Sequence, residues 1–226
     1  METKKVEWQL VILVCSIIII MIMGVRQSLG LFLEPITNFM NSGKEFFSFA
    51  IGVQAIIWGL VTFFLGILID KFGPQKVLAF GIISFASGIF LMSNPTSEFT
   101  LFSATTLMGF GLGGAGMATM VSIAGKVAPV NKRSLAMGLV AAAASFGQFA
   151  VVLPTMWMNK AFGWETSLIV LASVVIGLLI FLPLLNSTNN KSNSAQDFGN
   201  SLQQTIMFSL REKNYILLIS GFFVCG

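Results

Sequence analysis

Residues 8–25 read WQLVILVCSIIIIMIMGV, eighteen positions without one Asp, Glu, Lys or Arg. A helix of about 20 apolar residues crosses roughly 30 Å of hydrocarbon, so this run is long enough to span a bilayer. Five further charge-free stretches follow: 46–69, 77–97, 99–125, 134–159 and 166–190. None shows the strict alternation of a barrel strand, and a backbone in lipid must satisfy its own polar groups, which favours helices. The expected fold class is therefore all-α, a polytopic membrane protein with six spanning helices.

Composition agrees with that assignment. Charged residues make up 10% of the 226-residue chain and hydrophobic residues 55%, against about 25% charged in a soluble domain. The net charge of +4 is carried by basic residues scattered through short connections, with no run or stripe suited to nucleic acid. Their distribution orients the chain. Lys4, Lys5, Lys71, Lys76, Lys126, Lys132, Arg133, Lys191, Arg211 and Lys213 fall on one side if the spans alternate, while Lys44 and Lys160 fall on the other, 10 against 2. The positive-inside rule then predicts a cytoplasmic N-terminus and a cell membrane location, plasma or bacterial inner.

Several chemistries find no support. The chain has no His, and Cys15 and Cys225 stand in apolar segments without metal-type spacing or a disulfide framework. No metal site and no cofactor are expected. There is no Gly-x4-Gly-Lys-Ser/Thr loop, no His-Glu-x-x-His helix and no Ser/His pair, so neither an ATPase nor a hydrolase is indicated. The run from Leu10 to Gly24 lacks a small-x-small cleavage site after it and reads as an uncleaved first helix rather than a signal peptide.

Three segments are expected along the chain: a six-helix bundle over 1–185, a polar cytoplasmic linker over 186–213 and the start of a seventh helix over 214–226. The linker is rich in Asn, Ser and Gln and buries too little apolar surface to pack alone, with a surface helix near 202–211 as one option. From residue 214 on, about 13 residues give roughly 20 Å of helix, too short to cross a membrane. That pattern predicts a partner six-helix half. A truncated, transport-incompetent product or a half-transporter subunit is the alternative.

The loop between the second and third stretches reads Gly66-Ile-Leu68-Ile-Asp70-Lys71-Phe-Gly73-Pro74-Gln-Lys76-Val77. Gly66 is suited to close approach to a neighbour, Gly73-Pro74 to a tight turn, and Lys71 and Lys76 to the cytoplasmic surface. Asp70 at a helix C-terminus is disfavoured by the dipole and calls for a cation or a foreign helix N-terminus nearby; a solvated turn carboxylate is the plainer reading. The stretch resembles the G-x-L-x-D-[R/K]-x-G-[R/K/P]-[R/K] signature of the major facilitator superfamily. That likeness implies the N-terminal half of a secondary transporter, with helices 1, 2, 4 and 5 of each half lining the path. It also implies that Asp70 helps to close the cytoplasmic side against the other half, as part of a gating motif of Gly66, Asp70, Lys71, Gly73 and Lys76.

Arg26 lies within Gly24-Val-Arg26-Gln27-Ser28-Leu-Gly30-Leu-Phe32, beyond the first charge-free run. A charge at membrane depth costs at least about 2.5 kcal/mol, so it requires water or a partner. An anionic solute is one such partner, held through the planar fork of the guanidinium. Snorkelling to the external headgroups and pairing with Glu34 are the others. This segment is similar to first helices of the monocarboxylate and oxalate:formate porter branch, which implies a small organic anion as solute. Gln27, Gln54, Trp58 and Gln148, with Phe146, are further candidate cavity residues, though such side chains also serve interhelical contacts.

The fourth stretch holds Gly109, Gly111, Gly113, Gly114 and Gly116, and the fifth Gly138, Ala142, Ser145, Gly147 and Pro154. Small surfaces let transmembrane backbones approach closely. Gly109, Gly113, Gly138 and Pro154 are expected to serve helix packing, or sliding during alternating access. An exporter of drugs, in which Arg26 is only structural, is a further reading of the same fold.

Overall fold

A computed structural model describes residues 8–188, at positions 70, 71 and 186–188 the backbone alone. The first span joins α1 (Trp8–Ser28) through a 3₁₀ turn (Leu29–Phe32) to α2 (Leu33–Met40). The second is α3 (Lys44–Phe72) and the third α4 (Pro74–Met92). The fourth divides into α5 (Glu98–Ala115) and α6 (Met117–Val127), and the fifth into α7 (Arg133–Ala150) and α8 (Val152–Phe162). The sixth is α9 (Trp164–Gly177) continued by a 3₁₀ stretch (Leu178–Thr188). Six helices long and apolar enough to cross a membrane result, and no strand occurs among the described residues. The expected linker from 189 onward and the seventh-helix start at 214–226 lie outside the described residues.

The first span is longer than its charge-free run because the helix continues past Arg26 and Glu34 to Met40. Pro35 sits at the third position of α2, where a missing N–H matters least within the new helix. The carbonyl of Leu31, which residue 35 would otherwise bond, accepts instead from Asn159 Nδ2 of α8 at 3.4 Å. Pro154 acts similarly. It lacks the N–H that would bond Ala150, and the fifth span breaks at Val151.

Two corners repeat. Gly73, between α3 and α4, has φ 86° and ψ 155°, and Gly163, between α8 and α9, has φ 83° and ψ 163°. Each follows a Phe, and each adopts a left-sided φ that glycine takes without strain. Because the spans alternate in direction, the corner after the second span and the corner after the fifth lie at opposite ends of the bundle. Spans 1–3 and 4–6 therefore share a turn in inverted orientation, the arrangement of inverted repeats.

Close glycine contacts assemble the core. Lipid tails are as apolar as Leu, so spans associate through packing rather than through exclusion of water. A methyl placed on Gly81 of α4 would lie 2.6 Å from the Ala115 backbone N, and one on Gly111 of α5 would lie 2.5 Å from the Phe85 backbone N. The α3–α5 contact is similar: a methyl on Gly109 would be 3.0 Å from the Gln54 carbonyl O, and one on Gly113 would be 2.7 Å from Val61 Cγ1. Around these seams Ile18, Ile22, Phe32, Phe85, Ile89 and Met108 are fully buried.

The first and fifth spans cross where Gly24 meets Val151 and Gly147 meets Ile20. Just beyond, Ser28 Oγ donates to the Gly24 carbonyl at 2.8 Å and lies 3.4 Å from Thr155 Oγ1, both residues being buried. Two glycines depart from their expected role. A methyl on Gly66 or on Gly138 would meet nothing within 4 Å, so neither marks a close approach within the described bundle. On the fifth span Gly147 carries the contact instead, because its register faces α1.

Candidate functional site

Three spans converge on Arg26. The residue occupies the last turn of α1, where the helix dipole favours a cation, and it is half-buried. Its Cζ lies over the Trp58 ring of α3, 4.7 Å from the centroid. Trp58 in turn stands against the break in the fourth span. A methyl on Gly116 would run into the Leu112 carbonyl O of the preceding turn and come within 3.3 Å of the indole Nε1. Gly116 is extended, with φ −81° and ψ −171°, and starts α6 afresh.

The break leaves a fresh helix N-terminus deep in the span, close to the indole. Thr119 Oγ1 donates to the Gly113 carbonyl at 3.3 Å and spans the interruption. One turn before Trp58, Gln54 is 2% exposed and its Nε2 has no hydrogen-bond partner. An unpaired buried amide donor costs about 1–3 kcal/mol, so this group is poised to accept a partner.

Sequence expectations for the site separate into three outcomes. Arg26 and Trp58 are brought together, with Gln54 one helical turn away on α3. Gln27 and Gln148 are exposed. The expected alternative of an Arg26–Glu34 ion pair is not formed. Glu34 pairs with Lys44 across the first connection at 3.2 Å, both side chains being mostly exposed. Such a surface pair contributes about 0–1 kcal/mol.

Among the described residues no acceptor bonds the Arg26 guanidinium, so its N–H donors can meet one. A cation–π contact is worth about 0.5–2 kcal/mol, and a hydrogen bond to a charged group about 1.5–3 kcal/mol. An anion arriving at the edge of Arg26 therefore adds to the Trp58 contact and need not displace it.

A second feature was not legible as a site in the sequence. Between α1 and α7 an open groove of about 570 Å³ is lined by Trp8, Ser16, Ile20, Leu139, Ala142 and Phe146 among others. The Ser16 hydroxyl is buried there without a hydrogen-bond partner. At its Trp8 end, Lys132 Nζ lies over the indole, 5.4 Å from the centroid. Of its lining, the sequence singles out only Phe146 as a candidate cavity residue and Ala142 as a small one. A third apolar recess, of about 420 Å³, lies between α3 and α4, lined by Phe64, Leu68, Lys76 and Phe80 among others.

In the loop signature, Gly73 caps α3 through its N–H to the Ile69 carbonyl at 3.0 Å, and Pro74 begins α4. Gln75 Nε2 donates to the Leu182 carbonyl at 3.1 Å, tying this corner to the sixth span. The side chains of Asp70 and Lys71 lie outside the described residues, so their expected gating contacts have no counterpart here.

Comparison with known proteins gives a match to the model described as Major Facilitator Superfamily over residues 13–226. The Bacillus subtilis (strain 168) protein named uncharacterized MFS-type transporter YcxA is 25% identical over 99% of this chain and 55% of its own length. The agnestins efflux protein AgnL12 of Paecilomyces divaricatus is 27% identical over 72% of this chain and 36% of its own. The vesicular acetylcholine transporter of Drosophila melanogaster is 31% identical over 64% of this chain and 26% of its own. The chain thus spans about half the length, or less, of the curated relatives it matches.

Proposed function

The chain belongs to the major facilitator superfamily, and from that premise we propose that it forms the N-terminal six-span half of a transporter that carries a small organic anion by alternating access. Arg26 is the anion's anchor. The observation that carries this reading is the placement of a half-buried guanidinium against Trp58, beside the interrupted fourth span, with no acceptor bonded to it among the described residues. Gln54 supplies a further donor from the same helix. A monocarboxylate, formate included, matches the single cation; oxalate is the other candidate among small organic anions.

In this reading the N-terminus is cytoplasmic, as the 10-to-2 distribution of basic residues favours, and the protein resides in the cell membrane. The Gly66–Lys76 signature then faces the cytoplasm, where Asp70 closes the path against a second six-span half. Breaks in the first, fourth and fifth spans supply the joints for rocking.

The test is carboxylate uptake into vesicles containing the intact protein, with and without Arg26→Ala. Uptake should fall to the level of empty vesicles in the variant. A second reading, a drug exporter of the same fold with Arg26 purely structural, is supported by the name of the fungal relative, an efflux protein. Carboxylate uptake unchanged by Arg26→Ala would remove Arg26 from the site, and competition of carboxylates against exported compounds separates the two readings.

A further inference from the structure

We propose that the recess between α3 and α4 binds an anionic phospholipid of the leaflet that Lys76 faces, with one acyl chain in the recess and the phosphate at Lys76. This site is separate from Arg26 and independent of the transported solute. Only the identification of that leaflet as the cytoplasmic one rests on the sidedness proposed above.

The recess follows from where the fourth span breaks. The seam between α3 and α5 ends with Gly113 against Val61 and Thr62. Beyond it the fourth span is interrupted at Gly116, while α3 runs on for about three turns to Phe72. Over those turns Leu65 and Ile69 pack on Val77 of α4 in a small cluster apart from the main core. Beside this cluster an opening of about 420 Å³ remains, flanked by Phe64 and Leu68 of α3, Phe80 of α4 and Phe110 of α5, all of them exposed.

Its dimensions suit a hydrocarbon chain. The lining of α3 extends from Val61 to Phe72, about 17 Å at 1.5 Å per residue, against about 15 Å for one leaflet of a 30 Å hydrocarbon core. The mean cross-section is then about 25 Å², whereas a helix 10–12 Å across needs roughly 80–110 Å². A single chain enters; a helix of another bundle rests on the rim. The walls are aliphatic and aromatic, so a chain there exchanges bulk hydrocarbon for fixed van der Waals partners.

Charge selects the headgroup. Lys76, in the first turn of α4, is the one charged residue among the described lining, it is exposed, and no described residue forms an ion pair with it. It stands at the end of the recess where α3 gives way to α4, the level at which a lysine reaches the headgroups. Asp70 and Lys71 share this corner and cancel in formal charge, which leaves Lys76 as its net positive charge. A phosphodiester with one negative charge complements it. Phosphatidylcholine offers the same chains and phosphate but adds a choline cation, which Lys76 repels.

The test is native mass spectrometry of the intact protein in detergent with equimolar dioleoyl phosphatidylglycerol and dioleoyl phosphatidylcholine. Phosphatidylglycerol should be retained about fivefold more strongly, the factor expected of one lysine at an anionic surface. Lys76→Gln should equalise the two lipids. Lys132→Gln, which removes a basic residue of another connection, should leave the preference intact. Leu68→Trp, which plugs the mouth at an exposed position, should release both lipids while thermal unfolding stays unchanged. Glycerol 3-phosphate should not displace the lipid, because it has no chain to fill the recess.

A preference that survives Lys76→Gln, or that falls equally with Lys132→Gln, would reduce the effect to general surface attraction and overturn the proposal. Undiminished binding to a folded Leu68→Trp protein would overturn it too, by placing the chain elsewhere; if that variant does not fold, Lys76→Gln decides. Displacement by glycerol 3-phosphate would leave a phosphate site only. Retention of neither lipid by the native sequence would overturn the proposal and leave the recess to a protein segment. None of these outcomes bears on carboxylate uptake, so the anion reading stands or falls separately.

Discussion

Arg26 Cζ lies over the Trp58 indole, 4.7 Å from its centroid, and the pair joins the end of α1 to the middle of α3. This contact answers the difficulty that a lone arginine poses at membrane depth. The cation rests on an aromatic face rather than on a carboxylate, so its charge is stabilised without being neutralised. A neutralised arginine would have little left for a solute; one held by an aromatic ring keeps its charge.

The pairing predicts a graded response at Trp58. Trp58→Phe keeps a ring beneath the guanidinium and should leave the KM for a carboxylate within about threefold, whereas Trp58→Leu should raise it by about 3- to 30-fold, corresponding to about 0.5–2 kcal/mol. Uptake kinetics in vesicles check both. Equal effects of the two substitutions would show that the ring's electrostatics do not matter.

The glycine seams predict opposite outcomes for identical changes. Gly111→Ala places a methyl 2.5 Å from the Phe85 backbone N, where no side chain can turn aside, and should destabilise by about 1–3 kcal/mol. Gly138→Ala meets nothing within 4 Å and should be neutral or stabilising by up to about 1 kcal/mol, the helix-propensity gain. Thermal unfolding in detergent reads both. A destabilising Gly138→Ala would mean that its face is covered.

Much of the fold was legible because lipid imposes a length and forbids charge. The six charge-free runs locate the six spans, and the Gly73-Pro74 turn falls where its residues require. What escaped was set by packing between distant positions. The break at Gly116 is shared with the Trp58 indole, and no local signal separates it from Gly109 or Gly113, which stay within α5. Arg26, Trp58 and Gln54 were recognisable as polar or aromatic exceptions, but their convergence depends on how α3 leans against α5. Gln27 and Gln148 passed the same filter and lie exposed, since composition alone does not report helix register. Glu34 found Lys44 rather than Arg26, because the 3₁₀ turn at Leu29–Phe32 resets the register between α1 and α2.

Asn159 and Pro35 form a compensating pair. Asn159→Leu removes the donor to the Leu31 carbonyl and should cost about 1 kcal/mol. In that background Pro35→Ala restores a backbone N–H at the position that bonds Leu31 in a regular helix, and should recover most of the loss. Denaturation of the two single variants and the double variant gives the coupling. Additive losses would contradict it.

Sidedness has its own check. With Lys76→Cys and Lys160→Cys introduced singly, a membrane-impermeant maleimide added to intact cells should label position 160 and spare position 76. Cys15 is buried, and Cys225 is replaced by Ser in both variants to remove its background. Labelling at 76 alone would invert the topology and place the loop signature outside.

Emission from Trp58 offers the shortest route to the anion site. In a variant whose other tryptophans, Trp8, Trp157 and Trp164, are replaced by Phe, titration with hexanoate should change Trp58 fluorescence saturably, and Arg26→Ala should abolish the change. An unchanged spectrum, or the same saturable response without the guanidinium, would contradict anion binding at Arg26.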